Sequence, residues 1–152
     1  MGTIRTSYLK TLKINGVLEM VYWYVGIGGV IGSLLRYLVA VFCTSWMIGE
    51  FPFGTLTANL LGSFLLGFLT IFFMFLSEWT DGVKTAITTG IIGSFTTFST
   101  FSVEMVKLIE NGHLIYALTY FLISSIGGLL LVSVGQKLGY YLKNKRAEEF
   151  IP

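Results

Sequence analysis

Residues 51–77 read FPFGTLTANLLGSFLLGFLTIFFMFLS, with no Asp, Glu, Lys or Arg among them. A bilayer core of about 30 Å is crossed by about 20 apolar helical residues, and this run is longer than that. Inside lipid the backbone must satisfy its own polar groups, which leaves only a helix or a closed barrel. A barrel strand takes about 9–11 residues and alternates in polarity. The run is too long and too uniformly apolar for that, so it predicts a transmembrane helix.

Working outward, Thr85–Val103 and Asn111–Gln136 are equally free of charge, and Val21–Met47 is broken only by Arg36. The pattern predicts four helices, over about 21–45, 54–77, 83–109 and 113–140. Apolar residues make up 54% of the chain and charged residues only 12%, about half the share of an ordinary soluble domain. Mean hydropathy is +0.78. The expected fold is an all-α integral membrane protein with four transmembrane helices. Around a four-helix transmembrane unit at 21–141 lie a polar, basic N-terminal extension at 1–20 and a charged C-terminal tail at 142–152.

Several function classes drop out. Four spans leave no room for a soluble catalytic domain. One His, one Cys and no carboxylate pair within the spans are too few groups for an enzyme site. Cys43 alone makes neither an internal disulfide nor a cysteine metal cluster. A net charge of +2, with no basic patch outside the tails, gives no reason to expect nucleic acid. The first twenty residues lack the apolar core of a signal peptide. Met20 directly precedes the first span and offers a second start position.

Lysine and arginine predict orientation. Arg5, Lys10, Lys13, Lys137, Lys143, Lys145 and Arg146 lie on the tails, and Lys84 in the middle loop makes eight, against Lys107 alone on the other side. Basic residues collect on the cytoplasmic side, so both termini are expected in the cytoplasm.

Small residues recur as Gly29-Val-Ile-Gly32-Ser33, Asn59-Leu-Leu-Gly62-Ser63, Gly90-Ile-Ile-Gly93-Ser94 and Ser124-Ser125-Ile-Gly127-Gly128. Small side chains let helices approach closely in lipid, where hydrophobicity provides no force between them. Tight packing explains the first, second and fourth of these. The third leads into Gly93-Ser94-Phe95-Thr96-Thr97-Phe98-Ser99-Thr100-Phe101-Ser102, made of Gly, Ser, Thr and Phe alone. Such residues are poor material for an uninterrupted helix. A break would release carbonyls at bilayer depth and make a cation site. An unbroken helix with hydroxyls bonded back to the preceding turn fits as well.

Phe98 and Phe101 share a helix face. Two rings so placed are ordinary core, or they present electropositive ring edges to an anion. Tyr116, Tyr120 and Ser124 form a hydroxyl stripe at steps of four, suited to an anion pathway or to interhelical hydrogen bonding. Arg36 inside the first span carries a cost of at least about 2.5–3.5 kcal/mol at mid-bilayer and is expected to face a polar interior. Asn59 offers an uncharged amide donor. Glu104 lies one turn past Phe101, and His113 is expected to be solvated in a turn.

Together these motifs identify a resemblance. Gly28-Gly29-x-x-Gly32-x-x-x-Arg36-Tyr37, Gly54-Thr55-Leu56-x-x-Asn59-x-x-Gly62-Ser63-Phe64, Gly93-x-x-Thr96-Thr97-Phe98-Ser99-Thr100-Phe101 and Tyr120-x-x-x-Ser124 resemble the Fluc/CrcB fluoride channels over about 22–140. The resemblance implies a fluoride-selective channel that passively exports fluoride, built as an antiparallel dimer with two narrow pathways. It implies a third helix broken mid-membrane at Gly93–Thr96, where carbonyls of Gly93 and Thr96 hold a structural sodium ion that is not transported. Phe98 and Phe101 match the pore phenylalanines and Asn59 the pore asparagine. Ser99, Thr100, Tyr120 and Ser124 match the polar track, and Arg36 and Glu104 match charges near the vestibules. The partners implied are fluoride, the lipid bilayer and a second subunit. One feature departs from the simplest dimer: a chain inserting both ways should show little Lys/Arg bias. The eight-to-one bias points to pairing with a paralogous subunit as an alternative to pairing with itself. The other class considered, a small four-helix dual-topology multidrug exporter, needs a carboxylate within the first span, where this chain has Arg36 and no acid.

Overall fold

The computed structural model describes residues 2–44, 50–75 and 79–148, and all of its regular structure is helical. Helix α1 covers Gly2–Thr44, and α2 covers Phe53–Met74. A third helical run, α3, occupies 81–95: α-helical at Asp81–Thr85, widened to π geometry over Ala86–Ile92, and α-helical again at Gly93–Phe95. Helix α4 is Phe98–Glu110. The last, α5, runs over 114–148 and contains a π segment at Ile123–Gly127 between Leu114–Leu122 and Gly128–Glu148.

Among the described residues, Glu19–Cys43, Phe53–Met74 and Leu114–Lys145 are each long and apolar enough to cross a membrane. The expected helices at 21–45, 54–77 and 113–140 correspond to α1, α2 and α5, although residues 45, 76 and 77 lie outside the described set. Two bounds differ. Helix α1 begins at Gly2, so no backbone interruption separates the basic extension from the span. At 1.5 Å per residue, a helix of 43 residues measures about 64 Å, twice the bilayer core. The apolar run at 83–109 differs more, because it is divided between α3 and α4 by two residues in extended conformation. Thr96 has φ −84° and ψ 156°, and Thr97 has φ −151° and ψ 127°.

Local chemistry sets these ends. Thr97 caps α4, its side chain accepting the backbone N–H of Thr100. Gly112, with φ 79°, turns the chain between α4 and α5 while His113 N–H reaches back to the Leu108 carbonyl at 2.8 Å. Asp81 in the first turn of α3 suits the positive end of that helix.

Packing relies on absent side chains. A Cβ on Gly28 would meet the Ala86 carbonyl, and one on Gly32 the Ile91 carbonyl, so α1 lies directly against the π turn of α3. Gly67 and Gly135 do the same between α2 and α5, facing the carbonyls of Val132 and Phe64. The buried cluster is small: Phe51, Leu56, Leu108, Ala117 and Tyr120, with Leu60, Phe101 and Met105 against it. Large apolar side chains elsewhere face outward, among them Trp23, Leu38, Ile115 and Leu129. That inversion is what a chain solvated by lipid or by a second subunit requires.

Candidate functional site

The extended step at Thr96–Thr97 is held from a neighbouring helix. Asn59, on α2, accepts the Thr97 N–H on Oδ1 at 2.8 Å and donates from Nδ2 to the Thr97 carbonyl at 2.9 Å. One amide side chain thus supplies the acceptor that a continuous helix would have given the Thr97 N–H, and adds a second donor to the Thr97 carbonyl, which as the cap of α4 already accepts the first bond of that helix. The Thr96 N–H still closes on the Ile92 carbonyl at 3.0 Å. Beyond it the ladder stops: among the described residues, no backbone N–H closes on the carbonyls of Gly93, Ser94, Phe95 or Thr96. The Thr96 hydroxyl donates to Ile92 O at 3.1 Å and, more loosely, to Gly93 O at 3.4 Å.

Beside this step lies a cleft of about 360 Å³, lined by Asn59, Gly62, Gly93, Thr96, Thr97 and Phe98 with Ser63 and Leu66 at its side. Gly62 is required for it to close against α3, since a Cβ there would fall on the Thr96 methyl. Phe98 projects from the first turn of α4 and is 79% exposed. Its ring centroid lies 6.0 Å from that of Phe101, which in turn lies 4.8 Å from Tyr120.

Ser99 and Thr100 are exposed and gather around the cap: Thr97 Oγ1 lies 3.3 Å from Ser99 Oγ and donates to Thr100 Oγ1 at 3.1 Å. One turn past Phe101, Glu104 accepts a hydrogen bond on each oxygen, from Thr55 Oγ1 and from the Tyr120 hydroxyl, both at 2.8 Å. Tyr120 is fully buried, and its proton is committed to this carboxylate. Ser124, one helical step further along α5, has a buried Oγ with no partner among the described residues.

The structure therefore brings Asn59, Gly93, Thr96 and Phe98 to one cleft, and joins Phe101, Tyr120 and Glu104 in a second cluster reached along α4. Arg36 belongs to neither in its contacts; it is partly buried on α1 and has no hydrogen bond or ion pair among the described residues. Sequence reasoning missed Thr55 as the second donor to Glu104. Its spacing from Asn59, four residues and so the same face of α2, was the available signal. It also assigned no role to the Thr97 side chain, which caps α4. His113, expected to be solvated, is 42% exposed but is paired with Glu50 at 3.2 Å.

No group of three or more His, Cys, Asp or Glu side chains capable of holding a metal occurs among the described residues. The oxygens that line this cleft belong to carbonyls, hydroxyls and the Asn59 amide. The four carbonyls without backbone donors, two of them from residues lining the cleft, supply such oxygens, and hard monovalent cations take oxygen ligands.

The profile of the family described as CrcB-like protein, Camphor Resistance (CrcB), matches residues 23–136. Among curated relatives, the chain is 49% identical over 111 residues to "Fluoride-specific ion channel FluC 2" of Geobacillus kaustophilus, covering 73% of this chain and 86% of that one. It is 42% identical over 118 residues to "Fluoride-specific ion channel FluC" of Clostridium perfringens, covering 78% and 92%. To "Fluoride-specific ion channel FluC 1" of Bacillus cereus it is 42% identical over 133 residues, covering 88% and 92%. These relatives are named as ion channels and not as enzymes. With the profile match spanning all of α2, α3 and α4 and most of the apolar part of α5, the chain belongs to the CrcB family of membrane channel proteins.

Proposed function

We propose that the chain is the subunit of a fluoride-selective channel that passes the ion passively out of the cell and lowers its cytoplasmic concentration and toxicity. The observation that carries this reading is the Asn59–Thr97 pairing, which holds an extended step open beside Phe98 in a chain similar to proteins named fluoride-specific channels. Fluoride is small and tightly hydrated, so a route through a bilayer must replace water with donors. An amide nitrogen has two hydrogens. The Thr97 carbonyl takes one from Asn59, and the other is left for an anion. Hydroxyls of Ser99, Thr100 and Ser124 extend the donor series, and the Tyr120 hydroxyl, donating to Glu104, remains an acceptor that orders its surroundings. The edges of Phe98 and Phe101 are electropositive and accept an anion without trapping it.

The third membrane span consists of α3 and α4 together, broken mid-membrane at Thr96–Thr97. A second copy, or a paralogous subunit, packs antiparallel against the cleft. The large exposure of Phe98 and the unsatisfied carbonyls beside it are the features such a partner would cover. The carbonyls of Gly93 and Thr96 would hold a structural sodium ion there, whose positive charge offsets that of nearby fluoride in a medium of low dielectric. The eight-to-one Lys/Arg distribution favours cytoplasmic termini in the main orientation. The physiological logic is acid trapping: neutral HF enters, dissociates inside, and the ion leaves down its gradient.

Efflux from liposomes containing the purified chain, followed with fluoride and chloride electrodes, tests this. Fluoride release without chloride release is expected. Release of both ions would refute selectivity. Silence that persists after co-expression with a paralogous subunit would refute the channel reading itself.

A further inference from the structure

Both π segments described above adjoin the site: Ala86–Ile92 runs directly into Gly93, and Ile123–Gly127 contains Ser124. Ordinary proteins hold under about 1% of their residues in π geometry and place it mostly at functional positions, so the coincidence calls for a physical account. A π turn closes its hydrogen bonds between residues five apart, where an α turn closes them between residues four apart, and so takes in one extra residue. The Gly93 N–H closes on the carbonyls of Gly90 and Thr88, the latter five residues back. By Thr96 the N–H has returned to a carbonyl four residues back, that of Ile92. The handover from π to α spacing therefore falls within Gly93–Thr96, the residues that form one wall of the cleft.

The π segment of α3 has a template in α1. On α1 the closest contacts recur at Gly28 and Gly32, four residues apart; on α3 they fall on the carbonyls of Ala86 and Ile91, five residues apart. One turn of α1 thus faces one π turn of α3. Gly90 closes the same contact from the other side, since a Cβ on it would lie 2.8 Å from the Val25 carbonyl. In an uninterrupted α-helix the carbonyl one turn after Ala86 would be that of Gly90, and every residue from there to Thr97 would be displaced by one position. That displacement is about 100° of rotation and about 1.5 Å of rise, and the double contact between Asn59 and Thr97, at 2.8 and 2.9 Å, does not survive it.

We infer that Gly28 and Gly32 are positioning residues for the site: they hold α3 one residue out of α-helical register and so aim Gly93–Thr97 at Asn59, although no residue of α1 lines the cleft. The inference rests on the fluoride reading above, for which this register is the working one. The seam between α2 and α5 supplies the contrast. Gly67 and Gly135 are pressed as closely against the carbonyls of Val132 and Phe64, but both partners are α-helical there, so the contact holds two helices together without storing an extra residue. Within the π turn of α3, between the two carbonyls that touch α1, Thr89 is exposed. It is the residue whose removal disturbs the least packing.

Two measurements on the full chain test this. Deleting Thr89 turns the π segment into α-helix and leaves Gly93–Thr97 where they stand, so fluoride efflux from liposomes should stay within about twofold of wild type, the range of a change that disturbs no packed feature. Deleting Leu65, exposed on α2, should abolish efflux, because α2 has no residue to spare. The second measurement is a double-mutant cycle read from unfolding in detergent. Asn59→Leu alone should shift the unfolding equilibrium at least about thirtyfold. In the Gly32→Ala background its effect should shrink to about fivefold or less, because Thr97 has already turned away from Asn59. In the Gly67→Ala background it should keep its full size. Loss of efflux or of folding on deleting Thr89 overturns the inference and leaves the fluoride reading standing, and so does a full Asn59→Leu effect in the Gly32→Ala background. If Gly32→Ala does not fold, the Thr89 deletion decides alone. A wild-type chain with its partner subunit that releases no fluoride overturns the fluoride reading, and the cycle, which needs no flux, still decides the positioning.

Discussion

Replacing Asn59 isolates the contact on which the site depends. Asn59→Leu keeps the branched shape of the side chain but removes both hydrogen bonds to Thr97, at 2.8 and 2.9 Å. Each has a net value of about 1 kcal/mol, and a polar group left unsatisfied in a dry environment costs about 1–3 kcal/mol. The Thr97 N–H would be stranded, while the carbonyl, which caps α4, keeps the first bond of that helix, giving a loss of about 2–4 kcal/mol once the cleft is covered in the assembled channel. Asn59→Asp retains an acceptor for the N–H and loses only the bond to the carbonyl, so it should cost about half as much. Its carboxylate would nevertheless stand beside the ion's route. The two variants should therefore rank oppositely in two assays. In denaturant titrations in detergent micelles, followed by intrinsic fluorescence, Leu should be the less stable. In the electrode assay, Asp should abolish fluoride release even under conditions where it remains folded. A Leu variant with wild-type stability, or an Asp variant less stable than Leu, would refute the assignment of Asn59 as the partner of the Thr97 backbone.

Three further outcomes follow from neighbouring contacts. Gly62→Ala should reduce assembly and fluoride release by about fivefold to a hundredfold, because its methyl falls on the Thr96 Cγ2, a core overpacking worth about 1–3 kcal/mol; adding Thr96→Ser, which removes that methyl, should restore both. Tyr120→Phe fills the same buried volume and keeps the ring contacts with Phe51 and Phe101, yet deprives Glu104 of one of its two donors, so flux should fall with little change in unfolding. Combining it with Thr55→Val should cost more than the sum of the single changes, since Glu104 then has no donor; simple additivity in a double-mutant cycle would argue against a shared role. If sodium is held by the carbonyls at the break, replacing it with lithium or potassium should lower the thermal stability of the assembled protein, and unchanged melting in all three salts would remove the ion from the account.

The membrane-spanning elements were legible because charge is the deciding quantity in lipid. Runs with few or no Asp, Glu, Lys or Arg locate the apolar spans of α1, α2 and α5, although α1 and α5 extend beyond them at one end, and the close contacts at Gly32, Gly62 and Gly90 are the physical content of the small-residue steps. What composition could not give was how the run at 83–109 is divided. Thr96 and Thr97 are as compatible with a back-bonded helix as with an extended step, and the deciding partner, Asn59, lies 38 residues away. Likewise nothing local to Glu104 says that its two donors come from Thr55 and Tyr120, 49 and 16 residues distant. Single hydrogen bonds between helices leave no periodic trace in a sequence. The apolar faces that position them do.

The break is tolerable for the same reason that it is useful. A helix interrupted in lipid would normally strand four N–H groups after the interruption and four carbonyls before it. Here the groups that bonding rescues are chosen unevenly. The Thr96 N–H is bonded to Ile92, the Thr97 N–H to Asn59, and the Thr100 N–H to the Thr97 side chain. The carbonyls of Gly93, Ser94, Phe95 and Thr96 receive no backbone donor. The segment therefore displays four carbonyl oxygens before the step and, at the start of α4, the N–H groups of Phe98 and Ser99, so its two sides present opposite partial charges. On the fluoride reading proposed above, an anion path beside it would draw on side chains: the second amide hydrogen of Asn59, the hydroxyls that follow, and the ring edges of Phe98 and Phe101. On that reading Asn59 serves both halves. It satisfies the extended backbone with one hydrogen and one oxygen, and the geometry of that double contact fixes the direction in which its remaining hydrogen points. A side chain able only to accept, or only to donate, would lose either the break or the path.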